Sequence, residues 1–194
     1  MNKHAKLIKI VAFAMCLCTA LVMTGCKGKE VQLPEMPKLI IGSASLQINN
    51  GTISNVADTF EAKGNIDKFV EPHQPTNYSL FNDDNDKIVV GVYNDDANGA
   101  SMQYDTCRIY DVNITKDRFQ NTQITLSNGV NETMDLEEIV EIMGESHSST
   151  ADGLSTIYCW NFSDGYLYLG IETGNGKMIS LRMLSNVDPT NPNA

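Results

Sequence analysis

The chain has 194 residues, 14 basic and 24 acidic side chains and a formal charge of −10. That acidic balance argues against nucleic acid as a partner and against docking on anionic lipid, because both are recognised through basic clusters. Five cysteines are present, but no C-x-x-C, so zinc-ribbon and thioredoxin-type chemistry are not expected.

The first element is a leader. Lys3, Lys6 and Lys9 make a short positive region, and Ile10 to Met23 follows without a charge. The apolar run suits a secretory signal better than a bilayer span. It closes in Leu21-Val22-Met23-Thr24-Gly25-Cys26, which resembles a lipobox. The resemblance implies cleavage after residue 25 and a diacylglycerol thioether on Cys26. Residues 26–38 then read as the lipidated cysteine and a flexible Lys/Gly/Glu/Pro tether. Several acyl chains on one cysteine anchor firmly, where a single chain is marginal. The expected location is therefore the extracytoplasmic face of a cell membrane, held by lipid. Loss of the three leader lysines from residues 1–25, which carry no acid, takes the net charge from −10 to −13.

The rest of the chain reads as two copies of one unit, residues 39–118 and 119–185, before a disordered Asn/Pro-rich tail at 186–194. Leu46-Gln47-Ile48-Asn49-Asn50-Gly51 is echoed by Ile124-Thr125-Leu126-Ser127-Asn128-Gly129. The segment from Val56 to Gly64 is echoed by Leu136 to Gly144. Tyr78 and Leu80 match Tyr158 and Trp160, and Ile88–Val92 matches Leu167–Ile171. Gly99 matches Gly176 in the last turn.

Each copy predicts a strand, a helix closed by glycine, and three strands. In copy two Asp135 and Glu138 are spaced as a capping box, and Met134 and Ile139 as a hydrophobic staple. Leu136, Ile139, Val140 and Met143 repeat at helical period, and Gly144 suits a left-handed helix end. In copy one Ile53, Val56, Ala57 and Phe60 have the same spacing, with Gly64 as the stop. The strands alternate: Ile88, Val90 and Val92, then Leu167, Leu169 and Ile171, then Ile179, Leu181 and Met183. Asn98-Gly99, Asp164-Gly165 and Asn175-Gly176 read as tight turns. The expected fold class is α+β: two tandem β-α-β-β-β repeats forming an antiparallel sheet with helices packed on one face.

The rhythm of copy two resembles the repeat of the β-lactamase-inhibitor-protein-like superfamily, which includes small outer-membrane-assembly lipoproteins. Its features are the acidic capped helix ending at Met143-Gly144, the Ser146–Thr150 loop, Tyr158-Cys159-Trp160, Asp164-Gly165 and Gly176-Lys177-Met178-Ile179. Glu145 stands where the family usually places a proline. The resemblance implies a non-catalytic binding scaffold and names no partner.

An enzyme is not expected. The only histidines after the leader are His73, between prolines, and His147, in a serine-rich loop, and neither has a paired nucleophile in any known motif. No cofactor is expected. The acidic turns Asp83-Asp84-Asn85-Asp86 and Asp95-Asp96 offer oxygen ligands, but their spacing is not that of an EF-hand. Cys107 and Cys159 are left either to pair, in an oxidising compartment, or to fill the core as thiols.

The binding candidate is the sheet face turned away from the helices. Tyr166 and Tyr168 alternate with the inward leucines, Lys87 and Val89 are their counterparts in copy one, and Arg182 shares their parity, as Gln103 and Asp105 also do. An open face carrying Tyr and Arg has the composition of a protein interface. The expected function is thus a membrane-tethered protein-binding or envelope-assembly module, with an envelope or secreted protein as partner. The alternative is a sensory or structural lipoprotein binding calcium or a small ligand in the acidic loops.

Overall fold

A computed structural model describes residues 32–64 and 66–192. The leader, Cys26 and most of the tether lie outside the described residues. Among those described, no helix is long and apolar enough to cross a membrane.

The chain enters through Pro34–Lys38 and forms β1 (Leu39–Ile41) and β2 (Ala44–Leu46). Short strands β3 (Glu61–Ala62) and β4 (Phe69–Val70) precede β5 (Thr76–Phe81) and β6 (Lys87–Tyr93). β7 (Met102–Gln103), β8 (Arg108–Thr115) and β9 (Ile124–Leu126) lead to the α-helix, α1 (Leu136–Met143). β10 (Ser148–Asp152), β11 (Ser155–Asn161), β12 (Gly165–Glu172) and β13 (Met178–Ser185) complete the fold.

Eight strands form one antiparallel sheet in the order β10-β11-β12-β13-β8-β6-β5-β3. Read outward from the central β8–β13 pair, β6, β5 and β3 lie on one side and β12, β11 and β10 on the other. A second sheet, β2-β1-β9, joins Leu39–Ile41 to Ile124–Leu126, and β4 pairs with β7 apart from both. The core lies against one face of the large sheet. Leu80, Ile88, Val90, Val112, Ile114, Trp160, Leu167, Leu169 and Leu181 supply that face, and Leu39, Ile41, Leu46, Ile124 and Leu126 come from the small sheet. Ile53, Phe60, Phe119 and Ile139 complete it.

The fold is therefore mostly β, which corrects the α+β expectation of a helix in each copy. The helix expected after Asp135 forms as its signals require. Asp135 accepts from the Glu138 N–H at 3.0 Å, Glu138 accepts in return from the Asp135 N–H, and Gly144 takes φ +76° at the end. In the Val56–Gly64 counterpart and the residues before it, only Ile53–Val56 winds, as a single 3₁₀ turn. Thr59 and Phe60 both donate to the Val56 carbonyl, and the chain leaves as β3. Ser54, Asn55, Asp58 and Thr59 offer the backbone side-chain alternatives that weaken a helix, and Asn55 does so by accepting from the Thr52 N–H at 2.8 Å.

The alternation in β6 and β12 holds, with Ile88, Val90, Val92, Leu167, Leu169 and Ile171 all buried. In β13 it shifts. A bulge beside Gly170 and Ile171 pairs Ile171 with Met178, so Met178 is buried and Ile179 is only half-buried. Residues 186–192, expected as part of a disordered tail, make hydrogen bonds. The Asn186 N–H donates to the Asp164 carbonyl, and His73 Nδ1 lies 2.7 Å from the Thr190 carbonyl.

Candidate functional site

The free face of the large sheet is built by strand register. One row runs Ser148, Cys159, Tyr168, Arg182, Asn113, Val89 and Ser79 across seven strands. The next runs Asn161, Tyr166, Leu184, Asp111, Gly91 and Asn77. Side chains of one row share a face because successive residues of a strand alternate. The register thus brings Tyr166, Tyr168, Arg182 and Val89 together. Lys87 lies on the same face at the β6 end, its Nζ 5.8 Å from the centre of the Phe81 ring.

Tyr166 is 37% exposed, and its ring centre lies 6.4 Å from that of half-buried Tyr168. Arg182 forks onto Asp111, with Nε at 2.9 Å and Nη2 at 2.7 Å from its two carboxylate oxygens. This bond to Asp111 raises the guanidinium's pKa and fixes its plane. Burial, then the neighbouring Cys159, pushes the Tyr168 phenol up. Tyr110 lies across Gly91, where an added Cβ would meet its ring at 2.7 Å. Glycine is required there so that the ring can close over the strand.

Asp111, Asn113, Tyr110 and Leu184 belong to this face and were not anticipated. Asp111 and Asn113 could have been found from the polar alternation Asp111-Val112-Asn113-Ile114-Thr115. The bulge between Gly91 and Val92 hides the phase earlier in β8. Gln103 and Asp105 are not part of the face. Gln103 lies in the β4–β7 pair, and Asp105 in a 3₁₀ turn.

Cys107 and Cys159 are free, buried thiols. Cys107 stands at the start of β8 and Cys159 in β11, with β12 and β13 between them. Three strand spacings of about 4.8 Å alone put them more than about 14 Å apart, against the ~7 Å that a disulfide tolerates between Cα atoms. Of the two readings left open by sequence, the structure holds Cys107 as a core filler, while Cys159 is an unpaired thiol buried on the opposite sheet face beside Tyr168. Burial pushes the Cys107 thiol up to about 11, which leaves it unreactive.

In the acidic turn Asp83–Asp86, Asp86 is engaged internally. Asp86 is 2% exposed. Its Oδ1 accepts from the Gln120 and Asn121 N–H groups at 2.8 and 3.1 Å, and its Oδ2 from Asn82 Nδ2 at 3.3 Å. Burial works against the charge, and these donors outweigh it, so the carboxyl's pKa is lowered. Among the described residues, no three His, Cys, Asp or Glu side chains come together as a metal site. His147 Nδ1 accepts from the Asn161 N–H at 3.2 Å.

No family model matches the chain, and no curated protein does. Among solved structures, the crystal structure of a DUF4309 family protein (YjgB) from Bacillus subtilis is similar at 12% identity and a TM-score of 0.37. The match covers 73% of this chain and 82% of that one. At that TM-score it carries no argument about fold or function.

Proposed function

We propose that the chain is a membrane-tethered extracytoplasmic lipoprotein whose folded body acts as a non-catalytic protein-binding or envelope-assembly module. The observation that carries the reading is the register that gathers Tyr166, Tyr168, Arg182 and Val89 on one uncovered sheet face. Tyrosine offers broad contact area at low entropic cost, and an arginine already held by Asp111 presents a fixed donor plane. The lipobox-like run at Cys26 supports the tether.

Two experiments test the halves of this proposal. Cells expressing the full chain and fed labelled palmitate should label the wild type and not Cys26→Ala, and equal labelling would remove the anchor. A photo-crosslinking amino acid at position 166 should give a defined protein adduct in intact cells. The same group at Ser45, exposed on β2, is the control. No adduct at 166, or identical adducts from both positions, would end the binding-face reading.

A further inference from the structure

The two edges of the large sheet are finished differently. The β3 edge is two residues long and carries Glu61, with Lys63 following it. Short strands and charges are the usual guards against pairing with another chain. The β10 edge is less guarded, its one charge being the terminal Asp152. It is five residues long, exposed at every position, and contains no proline, lysine or bulge. Among the described residues, no strand pairs with its outer side. From Ser146 to Asn161 the only charged side chain is Asp152, in a chain of net charge −10. At the hairpin tip Leu154 is 84% exposed.

We infer that β10 is a docking edge for β10 of a second copy, joining two large sheets into one. Asp152 and Ser155 flank the two-residue turn Gly153-Leu154, with Gly153 at φ +59°. Such flanking residues bond to each other, and alternation then turns the backbone groups of Ser149 and Ala151 outward. A two-fold antiparallel pairing centred on Thr150 sets Ser149 opposite the second copy's Ala151, so these outward groups satisfy one another. Thr150 meets its own counterpart, and Ser148 meets the second copy's Asp152, a hydroxyl against a carboxylate. Cross-strand Thr–Thr and hydroxyl pairs of this kind stabilise antiparallel strands. The two Asp152 carboxylates stay apart at opposite ends of the pairing.

Charge selects this occupant. A basic segment finds only one acid here, and an acidic segment finds no base. Two acidic copies repel over most of their surfaces, and this neutral strip is where they meet without opposing carboxylates.

In this register Thr150 lies in a non-hydrogen-bonded pair, with Cα atoms about 4.5 Å apart, which suits a disulfide. The full-length chain carrying Thr150→Cys, oxidised in the membranes of expressing cells, should therefore run at twice its mass on a non-reducing gel. The unsubstituted chain gives the background. Ser148→Cys alone and Asp152→Cys alone should stay at background, and the two co-expressed as separate chains should cross-link. Ala151→Pro added to Thr150→Cys should abolish the dimer, with resistance to proteolysis showing that the fold persists. A monomer at Thr150→Cys would overturn the inference, as would equal cross-linking at all three positions.

Discussion

The segments Thr52–Phe60 and Asp135–Gly144 place apolar residues at the same helical spacing and bury Ile53, Val56 and Phe60 of the first and Ile139 of the second in the same core, yet only the second is an α-helix. In the second, Leu, Glu, Ile, Val and Met fill the interior, and Asp135 and Glu138 close the N-terminus. In the first, Ser54, Asn55, Asp58 and Thr59 occupy the intervening positions, and the winding stops after one turn. Apolar period says which residues face the core. The polar residues between them decide whether the backbone is continuously helical.

The largest effect is expected where the helix is tied to the sheet. Trp160 is buried and its Nε1 donates to the Gly144 carbonyl at 2.9 Å. Trp160→Ala should cost about 3–5 kcal/mol, read by urea unfolding, with loss of helical circular dichroism. Retained helicity would show that α1 does not depend on this anchor.

A second anchor, between Asp86 and the Gln120–Asn121 backbone, is polar. Asp86→Asn should cost about 1–3 kcal/mol at neutral pH. Because the folded carboxyl has a lowered pKa, its contribution is present above the ordinary value of about 4. It is lost as pH falls through the folded value. The gap between wild type and Asp86→Asn should therefore close in acid, and a pH-independent gap would refute the ionised role.

Capping gives the next effect. Asp135→Ala should cost about 1 kcal/mol. Thr52→Ala should stay within about 0.5 kcal/mol, because the turn it precedes is stabilised by burial of Ile53 and Val56. Equal losses would remove the contrast between the two segments. The smallest stability change is expected on the free face. Tyr166→Ala should also stay within about 0.5 kcal/mol, while a pull-down from native envelope with Tyr166→Ala/Tyr168→Ala loses the wild-type partner.

Local signals were legible. The Asp135–Glu138 box, the left-handed Gly99, Gly144 and Gly176, and the inward sets of β6 and β12 all follow from short windows of sequence. Features set by distant pairing were not. Nothing near Leu39 announces its place opposite Leu126, and nothing near Arg182 announces Asp111. Bulges at Gly91 and Gly170 reset side-chain parity, so alternation carried across them assigns Ile179 inward where Met178 goes. The candidate face was accordingly half visible: its tyrosines and Arg182 from parity, Asp111 and Asn113 from an alternation that was not followed, and Tyr110, at the β8 bulge, only from the fold.

The entry segment has a mechanical consequence. Ser163 N–H donates to the Pro34 carbonyl, Met36 N–H to Asp164 Oδ1 and Lys38 N–H to Ser127 Oγ, immediately before β1. β1 in turn is the middle strand of its sheet, bonded on both sides. A pull along the chain from its N-terminal side meets these clamps first and then loads two ladders in shear, so that many bonds must fail together. The folded body should therefore hold its shape under a force that would unzip an edge strand one bond at a time.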